Sequence, residues 1–352
     1  MFVGKGQLLR TAAALGLGAA VLAWPQAAAQ GFAQGVTLCM RQVLPALFPF
    51  FVVCEWLTPP PLPRPLGRAL SRALGLRQDL LPDLLLSWLG GYAVCAQLVC
   101  RALRDHRADA RQAQLLLLLG CCSGPGFVAG SVGGLMLGNP ALGVLLYGLQ
   151  LAANLFCCAL LLPRLPAAAP VTAALPPAAP RGAPLPLAIR RAVESCLGVC
   201  GCVVFFRLVC SLAAPLLPAA PLWQAVAAAL CEVSAGCASF AQLGGAAGLY
   251  GCCLALGGLG ASVWAQLALL LEHRLPLRFL AMARALQLVV YPGLVALLAR
   301  TLPGSTAVYS SLAPRTIVLC RLPVDAALAG GAFVVCALYK LRQIHYNKKE
   351  YA

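Results

Sequence analysis

Apolar stretches recur along this chain from Leu8 to Leu338, and they limit what it can fold into more than any other feature. A bilayer core about 30 Å thick takes about 20 apolar residues to cross as a helix. The stretches are continuous and rich in Leu and Ala. They do not alternate in pieces of about ten residues, so helices rather than barrel strands are expected. Of the 352 residues, 61% are hydrophobic and 10% charged. A soluble domain carries about 25% charged residues. The composition excludes a disordered chain, a nucleic-acid module and an ordinary cytosolic enzyme. It predicts an all-α, polytopic transmembrane helix bundle.

The net charge of +16 would ordinarily raise nucleic acid as a partner. Here Arg and Lys sit mostly in short loops beside apolar runs, as the positive-inside rule expects. Membrane lipid, and no nucleic acid, is the expected partner. Most of the 18 cysteines lie within apolar runs, including the pairs Cys121–Cys122, Cys157–Cys158 and Cys252–Cys253. They read as small hydrophobes at helix contacts. No zinc-type Cys/His spacing is present, and His106, His273 and His345 are scattered, so no metal and no cofactor is expected.

Two readings are open for residues 7–24, a cleavable signal peptide or a retained span. The retained span is preferred, because a polytopic chain needs no export signal. The run 35–57 contains Pro45 and Pro49 and ends at Glu55-Trp56. A loop over 58–82 carries four arginines (Arg64, Arg68, Arg72, Arg77). The run 83–101 is broken by Gly90-Gly91, and a charged loop covers 101–111. The run 115–137 is broken by Ser123-Gly124-Pro125-Gly126, and Gly138-Asn139-Pro140 is a turn signal. A span over 141–162 follows. Eight prolines between Pro163 and Pro186 make 163–191 a linker too proline-rich for a helix. Further runs cover 192–217, 222–243, 249–271, 279–299 and 322–338, with a basic loop at 272–278 and a basic tail. The division is an N-terminal helix (1–35), a first repeat (36–162), the linker, a second repeat (192–300) and a C-terminal helix with its tail (301–352).

The halves read as a repeat. The eight residues from Gly91 match those from Gly236 at five positions, and the thirteen from Gly120 match those from Gly251 at six. With the basic loops 58–82, 101–111 and 272–278 inside and the uncharged turn at 218–221 outside, 83–101 and 222–243 must each enter and leave on one side. That predicts about eight spans, two re-entrant helical hairpins and an inverted repeat, an arrangement typical of transporters.

Intramembrane polar groups are the candidate binding residues, because an acid there costs about 2.5–3.5 kcal/mol on insertion scales. Glu232 reads either as a solute or proton site or as an interfacial cap on a half-helix, with Ser234 beside it. Gln97, Gln242 and Gln266 read as solute ligands or as interhelical hydrogen-bonding groups. Ser123, Gly124, Pro125 and Gly126 read as a break whose N–H groups face a ligand or as a simple kink. Gly90, Gly91, Gly257 and Gly258 are further backbone breaks. Glu55 and Glu194 read as interfacial. With no P-loop, no G-x-S-x-G and no acidic or His cluster at a membrane face, no enzyme and no catalytic residue is expected.

Several motifs together resemble the sporulation integral membrane protein family YlbJ. They are Gly91-Tyr92, Ser123 with Pro125, the run from Gly138-Asn139-Pro140 to Gly143, Glu232-x-Ser234-x-Gly236, and Gly257-Gly258 with Ser262 and Gln266, then Phe279 and Arg284. The resemblance spans residues 36–298. It implies Gate ("nucleoside recognition") repeats, a multi-pass protein of the mother-cell or outer forespore membrane, a role in spore cortex assembly, and other sporulation membrane proteins as partners. The chain departs from the family where Cys121-Cys122 precede Ser123, where Gly124 separates Ser123 from Pro125, and at Ala93, a position often proline. These departures fall at the expected ligand-facing breaks, so solute identity does not carry over. The expected function is binding or translocation of a small polar solute. The alternative is a non-transporting scaffold that recruits cortex-assembly proteins through its basic loops.

Overall fold

The computed structural model describes residues 5–56, 62–165 and 183–301. Among the described residues there are helices and no strand. Four helices are long and apolar enough to cross a membrane, Pro140–Arg164, Leu185–Leu216, Gly245–Leu270 and Arg278–Ala299. The pair Thr11–Ala23 and Pro25–Arg41, bent by 103°, makes a fifth if counted as one span. Four or five spans stand against the eight expected, because several apolar runs are split into helices of 10 to 14 residues. Such lengths are too short to cross alone. The expected span over 322–338 lies outside the described residues.

At the N-terminal end, α1 (Lys5–Ala23) breaks at Trp24, and α2 (Pro25–Leu38) continues through a π turn at Cys39–Val43 into α3 (Leu44–Trp56). Residue 35, where the sequence reading divides the first helix from the repeat, lies inside α2. Pro25 takes the first helical position, where its missing N–H is no loss. The π turn directly before Pro45 absorbs the hydrogen bond that proline cannot donate. The expected loop 58–82 contains a surface helix, α4 (Arg64–Leu74), since its prolines cluster at the helix start.

Next come α5 (Leu81–Gly90) and α6 (Tyr92–Arg104), which fold back on each other about Gly91 at φ +84. Ser87 and Cys95, one from each, both lie against Gly120, where a Cβ would stand 2.9 Å from either side chain. The charged loop shrinks to 105–109, and Asp109 caps α7 (Ala110–Gly120) through the Gln112 N–H at 2.7 Å. A break at 121–125 leads into a π-helical stretch, Gly126–Met136. Asn139 then caps α8 (Pro140–Leu161) through the Leu142 N–H at 3.0 Å.

The second half opens with α9 (Leu185–Ala213), which starts inside the expected linker because Pro186 falls in its first turn. Helices α10 (Pro221–Cys231) and α11 (Val233–Leu243) fold back about Glu232, and a Cβ on Gly236 would stand 2.4 Å from the Ala229 Cα. Helix α12 (Gly245–Gly258) folds back along α11, with Gly251 against the Phe240 ring. A break at Leu259, φ +70, separates α12 from α13 (Gly260–Leu270), and α14 (Arg278–Thr301) follows.

Contacts across the bundle order its ends. Arg104 pairs with Glu272 at 3.6 Å, and the Gln114 side chain donates to the Pro276 carbonyl at 2.7 Å. The loops at 105–109 and 271–277 therefore share one end. Helices α8 and α14 run antiparallel, with the Tyr291 hydroxyl donating to the Leu146 carbonyl at 3.0 Å and Arg284 donating to Cys121 below Asn154. Helices α2 and α9 are antiparallel as well, with Gly31 against Leu208 and Gly35 against Val204.

Candidate functional site: a junction of helix breaks

Four breaks meet in two pairs. In the first, Gly91 lies against Gly124, where a Cβ on Gly91 would stand 2.9 Å from the Gly124 nitrogen. In the second, Gly260 (φ +64) lies against the Glu232 turn, where its Cβ would stand 2.8 Å from the Ala229 carbonyl oxygen. Both approaches are possible only without a side chain. Helix α11 packs on the Gly126–Met136 stretch and joins the two pairs. Tyr92, the first residue after Gly91, lies within electrostatic reach of the Glu232 carboxylate.

Glu232 is 3% exposed and closes the N-terminus of α11. One carboxylate oxygen accepts from the Ser234 N–H at 3.0 Å. The other accepts from the Ala235 N–H at 2.7 Å and the Ser234 hydroxyl at 2.5 Å. Glu232 thus caps a half-helix from a buried position, and the helix dipole supplies the compensation that no cation provides within ion-pair distance among the described residues.

Of the four helices that end at these breaks, α7 and α12 are closed alike. At α7 the Trp88 indole donates to the Leu119 carbonyl at 2.9 Å, and the Asn154 amide donates to that of Cys121 at 2.8 Å. At α12 the Trp264 indole donates to the Gly258 carbonyl at 3.1 Å, and the Gln150 amide to that of Leu256 at 3.5 Å. Both amides come from α8. At α7 a cation is added: Arg284 of α14, 3% exposed, donates to the Cys121 carbonyl and to the Gln287 side-chain oxygen.

The other candidate residues scatter. Ser123 sits in the first break, fully buried, with its hydroxyl unpartnered. Gly124, Pro125 and Gly126 flank it. Gly126 is exposed, and nothing lies within 4 Å of a Cβ built there. Gln266 is buried on α13; its amide nitrogen donates to the Ser262 hydroxyl at 3.0 Å and its oxygen has no partner. Gly257 and Gly258 form the last turn of α12, one residue short of the break. Gly90 ends α5. Gln97 and Gln242, paired by the repeat, are not brought together. Gln242 is exposed, whereas Gln97 donates to Glu55 at 3.2 Å.

Glu55, expected at the interface, is 2% exposed. Arg191, at 3.1 Å, and Gln97 hold its carboxylate between α3, α6 and α9, which makes burial tolerable. Glu194 pairs with Arg190 on the exposed face of α9 at 3.2 Å. Arg284, Gln287, Asn154 and Gln150 are the polar groups that the sequence reading passed over as site residues. Their signal was there: each is a strong hydrogen-bonding group inside an apolar run. Comparison with family models, with curated proteins and with solved structures finds no match for this chain.

Proposed function

We propose that the chain is a multi-pass membrane protein that binds and passes a small polar solute at the junction of its helix breaks. The observation that carries this reading is the pairwise meeting of the breaks, Gly91 with Gly124 and Gly260 with Glu232, beside buried polar atoms that lack partners. Broken backbone at membrane depth is tolerated only against protein or a water-filled cavity. The two fold-backs support a re-entrant reading. Helices α5 and α6 turn back toward the end that holds 105–109. Helices α10 and α11 turn back toward the end that holds the 214–220 turn. Each half then runs as a fold-back, a broken helix and a full-length helix, in opposite senses, which is the inverted arrangement of secondary transporters. The motif resemblance to the YlbJ family adds endospore formation and spore cortex assembly as the setting, with the mother-cell or outer forespore membrane as the location.

The test is aqueous access to the first break. In a cysteine-depleted chain, Gly126→Cys is expected to react with a membrane-impermeant thiol reagent. Leu135→Cys, at a position 79% exposed on the same helical stretch, faces hydrocarbon and is expected to stay unlabelled. An unreactive cysteine at 126 beside a folded control would overturn the reading.

A further inference from the structure

We infer that the solute site takes an anionic oxygen group, a carboxylate or a phosphate, at Arg284. This rests on the solute-site reading above and adds the class of ligand. The two broken-helix ends provide an internal comparison. Helix α12 is closed by an indole and a primary amide alone. Helix α7 has the same two closures, from Trp88 on Leu119 and from Asn154 on Cys121, so the carbonyl that Arg284 meets already has a donor. Ending a helix at this place does not require a cation.

The guanidinium is nevertheless buried about 9 Å along α14 from Arg278, six residues at the helical rise. Among the described residues no carboxylate lies within ion-pair distance of it. The groups it meets, the Cys121 carbonyl, the Gln287 amide oxygen and the Cys121 thiol beside them, include no carboxylate. An uncompensated cation at this depth is costly and by default marks function.

Three donors beside it are left over, against one acceptor on the facing helix, the Gln150 side-chain oxygen. Arg284 Nε is buried without a partner, and so is the Gln287 amide nitrogen one turn further along α14. The buried, unpartnered hydroxyl of Ser123 lies two residues beyond Cys121 in the same break. A positive, donor-rich, acid-free site is complementary to an anion, and guanidinium geometry suits planar carboxylate and phosphate oxygens.

The experiment uses the full chain in nanodiscs of phosphatidylcholine alone, so that no anionic lipid competes. The thermal midpoint is read with inorganic phosphate, acetate or neutral acetamide at constant ionic strength. Phosphate or acetate, but not acetamide, is expected to raise the midpoint by about 2 °C or more. The shift is expected to vanish in Arg284→Gln and to shrink in Gln287→Leu. If Arg284→Gln does not fold, Arg284→Lys keeps the charge without the fork and is expected to show a reduced shift; an undiminished shift in it and in Gln287→Leu overturns the assignment. A shift that persists in Arg284→Gln places the anion elsewhere and also overturns it. Equal shifts with acetamide defeat the anionic class while leaving the solute site standing. No shift with any of the three defeats both. Repeating the series with one-third phosphatidylglycerol separates sources: loss of the phosphate shift there identifies a lipid headgroup as the occupant, and its survival a free solute.

Discussion

Gly91 and Gly124, 33 positions apart in the chain, touch through their backbones. Gly91 holds φ +84, a left-handed conformation that costs other residues about 1–3 kcal/mol. A Cβ there would also meet the Gly124 nitrogen at 2.9 Å, and backbone cannot step aside as a flexible side chain can. Gly91→Ala is expected to destabilise the folded chain by about 2 kcal/mol or more. Gly126→Ala, which meets nothing within 4 Å, should stay within about 0.5 kcal/mol. Unfolding midpoints of the two variants in one detergent check the contrast.

The Glu232 cap makes a second test. Ser234 bonds both through its backbone N–H and through its hydroxyl to the same carboxylate. Glu232→Ala should cost about 1–2 kcal/mol, the range for loss of a helix N-cap. The effects of Glu232→Ala and Ser234→Ala should not add, because the hydroxyl loses its acceptor in the first variant. A double-mutant cycle on unfolding free energy measures this, and full additivity would contradict the shared bond.

Asp83 on α5 and Arg107 in the loop after α6 form a buried pair at 2.7 Å, with side chains 4% and 9% exposed. Removing one partner leaves the other charge buried, so Asp83→Asn should cost about 3–5 kcal/mol. The exposed Arg190–Glu194 pair, 74% and 63% exposed, should contribute at most a few tenths of that. Comparing Asp83→Asn with Glu194→Gln by chemical or thermal unfolding separates the two.

At the basic end, the hydrogen bond from Arg274 holds the Glu272 carboxyl below the usual carboxylate range; nearby Arg104 adds to this, and partial burial opposes it. A depressed folded value means stabilisation that is present above the unfolded carboxylate range and lost as pH falls through the folded one. The side chains are nearly half exposed, so the contribution is at most about 1 kcal/mol. The small gap between wild type and Glu272→Gln at neutral pH should close on acidification. A gap that widens in acid would contradict the pairing.

Much of the fold was legible because bilayer crossing leaves a coarse signature. The ends of α8, α9 and α14 fall within a few residues of the apolar runs, apart from the early start of α9. The break at Gly91 was readable because paired glycines interrupt an apolar run. The break at Leu259 was not, since it falls inside an uninterrupted run and only tertiary contact with the Glu232 turn fixes it. The register of the expected repeat does not follow the helix ends. The run from Gly120 was matched to that from Gly251, yet Gly120 ends a helix while Gly251 is mid-helix, and Gly258 occupies the corresponding end. Glycine and cysteine recur often enough in such runs to match seven residues out of place. The polar groups on α8 and α14 escaped notice because sequence cannot say which amide faces a helix end and which faces another helix.

The proposal that the two halves run in opposite senses around their helix breaks is tested most directly by side-specific labelling. Single cysteines would be placed at His106, Ala220 and His273, all exposed, in a cysteine-depleted chain in intact cells. The account predicts labelling from outside at 220 alone, with 106 and 273 reached only after permeabilisation. Labelling of 106 from outside would mean that α5 and α6 cross the membrane instead of turning back, and the inverted arrangement would fall with them.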